Sequence, residues 1–469
     1  MSTRSAKARL TAAHASEMFS EAAQTMWVEF NAWYKVRPEA TFDEMESYLG
    51  ERGRGLLGMA LELILRQGDL GATPRGRRCE QCGQEMIFKG YPEKAVHGLR
   101  VDTEIPRAYY VCPRCEAGFF PLDRRLRLRR DGWSEGLVRV VAWLGTTQPS
   151  FRIAAETVNR LVGIWMSRTT LWRCHGEVAG EIEQRLAEEE RELTDWGTGA
   201  EEEKEHVTAQ APVAEHGSVS IDGSMIRIEG EGYREVKMVS VSEVEKGVKP
   251  EAVGEEGIAE GQESLKLTHH SYRAVLGGKA TFEPGLRAEL VRRRVGDVAT
   301  ITTVNDGADW IWDLAQRYLP GKRVEVLDWS HAVQNLAKAG AAAWGEGAEE
   351  AQAWLAQRKT ELWAGQVADV LVALQQLPRR RQERGKAIRQ VQEYVVHHGG
   401  RMKYGRFRAE GRPIGSGTVE SGAKNVVQWR MRRGGQRWSS DGAERMLAAL
   451  GEVHSGRWEV ACQDRAQAA

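Results

Sequence analysis

Apolar positions recur at helical spacing from residue 17 to 67. They run through Met18, Phe19, Ala22, Met26, Trp27, Phe30, Trp33 and Tyr34, then from Met45 to Leu65, with Pro38 separating two predicted helices. Short β-like pieces come next, at Glu85 to Phe88 and Arg107 to Cys112. Helical periodicity returns over 133–176. There Ser150 to Leu161 predicts an amphipathic helix, Val162-Gly163-Ile164 a turn, and Ser167 the N-cap of a second helix. Residues 177–215 predict an acidic helix and then a linker rich in Gly, Thr, Ala and Glu. From Gly217 the pattern becomes that of strands, over 217–228 and 234–243 with a turn at Gly230 to Tyr233, and again over 269–277. A helix at 283–293, a strand at 297–304, a helix at 308–318 and a strand at 323–328 complete a mixed sheet flanked by helices. Residues 331–398 read as almost wholly helical, and a last helix carries Glu420 to Trp429.

The length, 469 residues, suits two to four domains, and 41% hydrophobic residues suffice for real cores. Net charge is +0 and excludes nothing, but its distribution is uneven. Arg379 to Arg437 holds 16 Lys and Arg against four Glu and no Asp, whereas Glu177 to Glu205 is strongly acidic. No apolar run is long enough for a membrane span, and Met1 to Ala13 lacks the apolar core of a signal peptide. Six cysteines, four of them in two close pairs, point to a reducing cytosol and a metal site, not a secreted disulfide framework.

Cys79-x-x-Cys82 and Cys112-x-x-Cys115 each place two sulfurs on one tight turn, and together they offer Zn²⁺ four tetrahedral ligands. Four protein ligands close such a site, so the predicted zinc ribbon is structural. Cys174 and Cys462 are expected to pack as small hydrophobes. The helix, glycine-containing turn and polar helix start at 150–173 have a helix-turn-helix layout, and equally that of a plain helical hairpin. In the first reading Ser167, Arg168, Thr169 and Arg173 reach phosphates or base edges.

Three acids stand at element ends: Asp222 in Ile221-Asp222-Gly223, Asp306 in Asn305-Asp306-Gly307, and Glu420 behind a glycine-rich turn. A single Asp-Gly pair is an ordinary turn signal. The three together, with a basic surface around the last, suit two hard divalent cations acting on a polyanion. A fourth acid, Asp328, comes directly after an apolar strand, and the spacing places His331 on the same side of a helix start. Arg430, Arg432, Arg433 and Arg437 trail Glu420 and are expected to grip phosphates near the metals. Trp429 and Trp438 among them are expected mainly in the core.

These motifs together resemble bacterial insertion-sequence transposases of the Kra-type group, relatives of the Mutator-like DDE transposases. The carriers are the two cysteine pairs with Gly118-Phe119-Phe120-Pro121-Leu122-Asp123, the Ser150 to Ala155 helix, Ile221-Asp222-Gly223 and Tyr233 to Lys237. They continue with Asn305 to Trp312, Leu327 to Ala332, Ile414 to Ser421 and Ser455 to Trp458. The likeness runs from about residue 75 to the C-terminus. It implies a multidomain α+β chain: N-terminal helices (1–72), zinc ribbon (73–130), helix-turn-helix region (131–185) and acidic linker (186–216). An RNase H-like α/β core (217–330 and 401–469) would come after these, with a helical insertion (331–400). It further implies Mg²⁺- or Mn²⁺-dependent cleavage and transfer of double-stranded DNA by a homodimer or larger assembly in the cytoplasm at the nucleoid. The ligands would be Asp222, Asp306 and Glu420, with Asp328 and His331 accessory; the rival assignment exchanges Asp306 for Asp328. A DNA-binding regulator without catalysis and a stand-alone nuclease are the alternative functions.

Overall fold

In the computed structural model the described residues are 10–72, 76–195, 215–248, 263–378 and 382–463. The chain divides into two units, one ending at Val178 and the other beginning at Ala179.

The first unit opens with α1 (Ala12–Lys35) and α2 (Phe42–Gln67). Thr11 caps α1 by accepting the His14 N–H, and Thr41 and Glu44 form a reciprocal box at the start of α2. Trp33 and Tyr48 join the two helices with ring centroids 4.7 Å apart. Six strands come after them: β1 (Arg77–Arg78), β2 (Glu85–Gly90), β3 (Glu93–His97), β4 (Asp102–Pro106), β5 (Tyr109–Val111) and β6 (Gly118–Phe119). They form an antiparallel sheet of order β1-β2-β5-β6 and a separate β3-β4 ribbon. The helices α3 (Pro121–Leu126), α4 (Glu135–Thr147), α5 (Phe151–Val162) and α6 (Arg168–Asp195) come next.

The N-terminal helices are fastened to the β3-β4 ribbon. A Cβ on Gly58 would stand 1.8 Å from the Asp102 carbonyl oxygen, so only glycine lets α2 lie against β4. One turn earlier, Arg54 donates to the Asp102 carboxylate (2.8 Å) and to the carbonyls of Gly98 (2.8 Å), Leu99 (2.9 Å) and Val162 (3.0 Å). The predicted linker at 186–216 needs correction at its start. α6 stays helical to Asp195, because Arg185, Glu189 and Glu190 are spent on ion pairs within the second unit and not on solvent. Residues 196–214 of that linker, and Arg379 at the head of the basic stretch, lie outside the described residues.

The second unit is built on β7 (His216–Ile228), β8 (Gly232–Val248), β9 (Glu263–Leu276), β10 (Thr300–Asn305) and β11 (Val324–Leu327). Their order is β11-β10-β7-β8-β9. β7, β10 and β11 are parallel, and β8 and β9 are antiparallel to their neighbours. The first strand in sequence is therefore the central one. β9 starts six residues before the predicted 269. Between β9 and β10 lies α7 (Lys279–Arg292), and between β10 and β11 lies α8 (Asp309–Tyr318). Their Phe282, Leu286, Ile311 and Leu314 pack with Val219, Ile221, Val239 and Val241 of the sheet. The expected long helical segment is five helices: α9 (Trp329–Trp344), α10 (Glu349–Ala364), α11 (Val367–Gln375), α12 (Gln382–His398) and α13 (Tyr404–Ala409). They share a core with Val304, Val326 and Leu327 of β10 and β11.

Then come α14 (Gly417–Gly422), a π-helical turn at Ala423–Gln428, α15 (Trp429–Met431), α16 (Ser440–His454) and α17 (Trp458–Gln463). A buried ion network ties these to the sheet. Glu289 is fully buried and accepts from Arg292 (2.6 Å) and Arg457 (3.0 Å), and Arg457 also reaches Glu452 (2.8 Å). Burial alone would raise Glu289, but the two guanidiniums outweigh it and hold the carboxyl well below its usual range. No helix among the described residues is long and apolar enough to cross a membrane.

Gly422 seats α14 on the sheet: a Cβ there would lie 2.5 Å from a Tyr272 ring carbon and 3.0 Å from the Met238 methyl. Gly417 has nothing within 4 Å. Gly422→Ala is expected to cost on the order of 1–3 kcal/mol, read as a lower melting temperature, whereas Gly417→Ala leaves the melt in place or raises it.

Candidate active site

The parallel strands set the site, because their carboxyl ends lie side by side and the acids stand at those ends. Thr303 pairs with Val219, and Asn305 pairs with Leu327. This register brings Asp222 on β7, Asp306 after β10 and Asp328 after β11 to one edge of the sheet, the usual place for ligands in such sheets. Asn305 fixes the edge. Its buried side-chain oxygen accepts the Ile221 N–H (2.7 Å), its amide donates to Thr303 Oγ1 (2.7 Å), and its backbone carbonyl accepts the Asp328 N–H (2.7 Å).

Asp328 is 1% exposed and caps α9. One carboxylate oxygen accepts the Ser416 N–H (2.6 Å). The other accepts the His331 N–H (2.9 Å), His331 Nδ1 (2.9 Å) and the Ser330 hydroxyl. Burial works against its charge, but these donors, His331 first, pull its carboxyl well below the usual range. In return the Asp328 hydrogen bond raises the His331 imidazole. Ser416 turns the clamp toward the last acid, donating its hydroxyl to Glu420 Oε1 at 3.2 Å. Asp328, His331 and Glu420 each offer a ligand atom, all within 4.8 Å of one another.

Asp222 and Asp306 flank this group. Burial, then the charges of Asp306 and Glu420, push the Asp222 carboxyl up to about 6, although the Gly223 N–H (2.7 Å) favours its charged form. Crowding of this kind is what a divalent cation relieves, and carboxylates are the donor set for Mg²⁺. Asp328 is the least available of the acids, since both its oxygens are already engaged. Asp306 is half-buried and spends one oxygen on the Ala308 N–H (2.9 Å).

The helical segment after β11 also reaches the site. A Cβ on Gly307 would lie 2.3 Å from Tyr394 Cε2 and 2.8 Å from its hydroxyl, so the glycine after Asp306 makes room for α12. Burial, then the charges of Asp306 and Asp328, push the Tyr394 phenol above its usual range. His397 of α12 meets Asp309 at 3.2 Å. Three positioning residues were thus missed by sequence reasoning. Asn305 had a signal, a polar residue closing an apolar strand beside an acid. Ser416 lay inside the glycine-rich turn, and Tyr394 had no signal.

The four paired cysteines converge in the first unit. Cys79 and Cys115 sulfurs are 3.5 Å apart, Cys82 and Cys112 3.5 Å, and Cys82 and Cys115 3.7 Å. Tetrahedral zinc with Zn–S of about 2.3 Å needs sulfurs about 3.8 Å apart, so the cluster fits the ion. Burial raises the Cys112 thiol, but N–H groups of Cys115 and Arg114 outweigh it and bring it to about 6. Cys174 and Cys462 are buried, as expected. A further group, Glu243, Glu245 and His269, could also hold a divalent ion but is largely exposed on β8 and β9.

The expected phosphate-gripping residues divide. Ser167 accepts the Thr170 N–H at 3.0 Å at the start of α6, where Arg168, Thr169 and Arg173 are exposed, Arg173 lying 3.6 Å from Asp131. Arg430 is a correction. It is 1% exposed, with its guanidinium 5.1 Å from the centre of the Trp438 ring, so it packs inside and offers no phosphate contact. Arg432, Arg433 and Arg437 are exposed. Arg437 pairs with Glu229 (3.2 Å) at the β7–β8 turn, roughly 20 Å along β7 from Asp222 at about 3.3 Å per residue. These arginines flank the acids at a distance instead of lining them.

No protein-family model matches the chain, and no curated protein matches it.

The site's chemistry makes two predictions. The folded Asp222 carboxyl, at about 6, lies above its unfolded value of about 4, so ionising it costs stability once the pH exceeds both, at most about 3 kcal/mol. Metal-free Asp222→Asn should therefore melt higher than the unaltered chain above pH 6, and the gain should vanish as the pH falls below about 4. Metal analysis of purified protein should find zinc in the unaltered chain and little in Cys79→Ser or Cys112→Ser.

Proposed function

We propose that this protein is a DNA transposase that binds insertion-sequence ends and catalyses divalent-metal-dependent strand cleavage and strand transfer. The observation that carries the reading is the meeting of Asp222, Asp306 and Glu420 at the carboxyl edge of a mixed sheet whose first strand is central. The resemblance to Kra-type transposases implies an RNase H-like core, and that placement of the acids supports it. The five helices between β11 and α14 take the position of the implied helical insertion. The cysteine lobe is read as a zinc ribbon, and α5, its glycine turn and α6 as the helix-turn-helix.

Asp222, Asp306 and Glu420 would hold two Mg²⁺ or Mn²⁺, which supply Lewis-acid activation of the attacking and leaving oxygens when bound. Asp328 acts through others: it keeps His331 charged and holds the Ser416 turn that orients Glu420. With Nδ1 engaged by Asp328, His331 has Nε2 left to donate to a substrate phosphate or to the departing oxygen. The exposed Arg432, Arg433 and Arg437 extend the contact to phosphates beyond the cut. The partner is double-stranded DNA, both element ends and target. Joining two ends calls for a homodimer or larger assembly, at the nucleoid in the cytoplasm.

The test is a Mg²⁺-dependent cleavage assay on DNA carrying the element's own ends. Asp222→Ala, Asp306→Ala and Glu420→Gln are expected to lose activity by on the order of 10²-fold or more. Asp328→Asn, which disturbs orientation, should lose roughly 10–100-fold. Full activity in Glu420→Gln would refute the metal assignment. Binding without cleavage would leave a DNA-binding regulator, and cleavage without joining a nuclease.

A further inference from the structure

The corner between α5 and α6 exposes aromatic surface that the fold does not use. Trp165, in the turn, is 77% exposed, Trp172, one turn into α6, is 58% exposed, and Leu161 at the end of α5 is 78% exposed. Their neighbours in sequence, Ile164, Met166 and Leu171, are buried, so the corner is anchored without the two indoles. On α6 the exposed positions are Arg168, Thr169, Trp172 and Arg173, spaced as one helical face, while Leu171, Cys174 and His175 turn inward.

The charge around the indoles has one sign. From Thr157 to Gly176 there are three arginines, Arg160, Arg168 and Arg173, and no Asp or Glu. All three are exposed. Among the described residues Arg160 and Arg168 have no ion-pair partner, and Arg173 meets only Asp131, at 3.6 Å. Glu177, the next acid along α6, is engaged by Arg129. Exposed aromatic rings set among unpaired arginines form the surface that binds single-stranded or unstacked nucleic acid, where rings stack on bases and guanidiniums hold phosphates. A protein partner for an apolar patch would not require the acid-free arginine surround.

We infer that the α5–α6 corner is a nucleic-acid-binding face on which Trp165 and Trp172 stack against unpaired bases while Arg160 and Arg168 hold the flanking phosphates. The inference rests on the DNA-acting reading above and deepens it. A strand-cleaving enzyme works on locally opened DNA, and this face would favour a frayed end over an intact duplex.

The experiment measures affinity of the full chain for a mixed-sequence DNA duplex, blunt and with one frayed end, across a salt series. Trp165→Ala and Trp172→Ala are expected to weaken frayed-end binding roughly tenfold each. Their slope of log affinity against log salt should stay unchanged, since no charge is removed. Arg160→Ala and Arg168→Ala should each flatten that slope by about 0.9 for a lost duplex phosphate contact, or about 0.7 on a single strand. Both indoles are exposed, so thermal melts of the tryptophan variants should match the unaltered chain. As a readout independent of affinity, ¹⁹F spectra of protein labelled with fluorotryptophan should show the Trp165 and Trp172 resonances moving on addition of the frayed DNA. Tryptophan variants that bind both DNAs like the unaltered chain would overturn this inference and leave the transposase reading standing. Variants that alter only self-association would make the corner a protein interface and overturn it too. No binding of either DNA by the unaltered chain would overturn both.

Discussion

The side-chain amide of Asn305 holds the carboxyl ends of three parallel strands at one level. It accepts the N–H of Ile221, the residue before Asp222, and its own carbonyl accepts the N–H of Asp328. Asp306 is the next residue in the chain. A buried amide satisfied on both sides leaves little freedom for the strands to slip, and an unpaired N–H at this depth would cost about 1–3 kcal/mol. The acids meet because this residue fixes where β7, β10 and β11 stop relative to one another.

Given that register, the fold has to manage negative charge at close range, and it does so unevenly. Asp328 receives four donors and is stabilised as a carboxylate, whereas Asp222 receives one and is destabilised by burial and by its neighbours. The saturated acid suits an internal clamp, and the unsatisfied one suits a ligand awaiting a cation. The clamp also explains how distant segments cooperate. Ser416 joins Asp328 to Glu420 across 88 residues of sequence, and Tyr394 of α12 presses on Gly307 beside Asp306. The helices between β11 and α14 are therefore part of the site's scaffold.

Much of this was legible in the sequence because the signals were local. Alternating apolar positions marked β7, and apolar runs ended by acids marked β10 and β11. The cysteine pairs announced a cluster that the fold closes to ligand-like spacing. Asp328 with His331 three residues later was readable as a helix start, and it is one. Tertiary facts were not legible. The extra length of β9 comes from its ladder with β8, a non-local partner. The π-helical turn after Glu420 results from helix–sheet packing at Gly422, and nothing in Ala423–Gln428 announces it. Arg430 looked like one more exposed arginine in a basic run, but the helix phase turns it inward onto Trp438. The acidic run beginning at Glu177 looked like a solvated face, yet Glu189 and Glu190 are spent on buried and half-buried arginines.

The most direct test of the account is where a divalent metal binds. Crystals of the protein soaked in Mn²⁺ would show it by anomalous scattering. The account requires density between the carboxylates of Asp222, Asp306 and Glu420, with Asp328 still bonded to His331 and Ser416. Density on Asp328 and His331 with Asp306 turned away, or no ordered metal at this edge of the sheet, would contradict it.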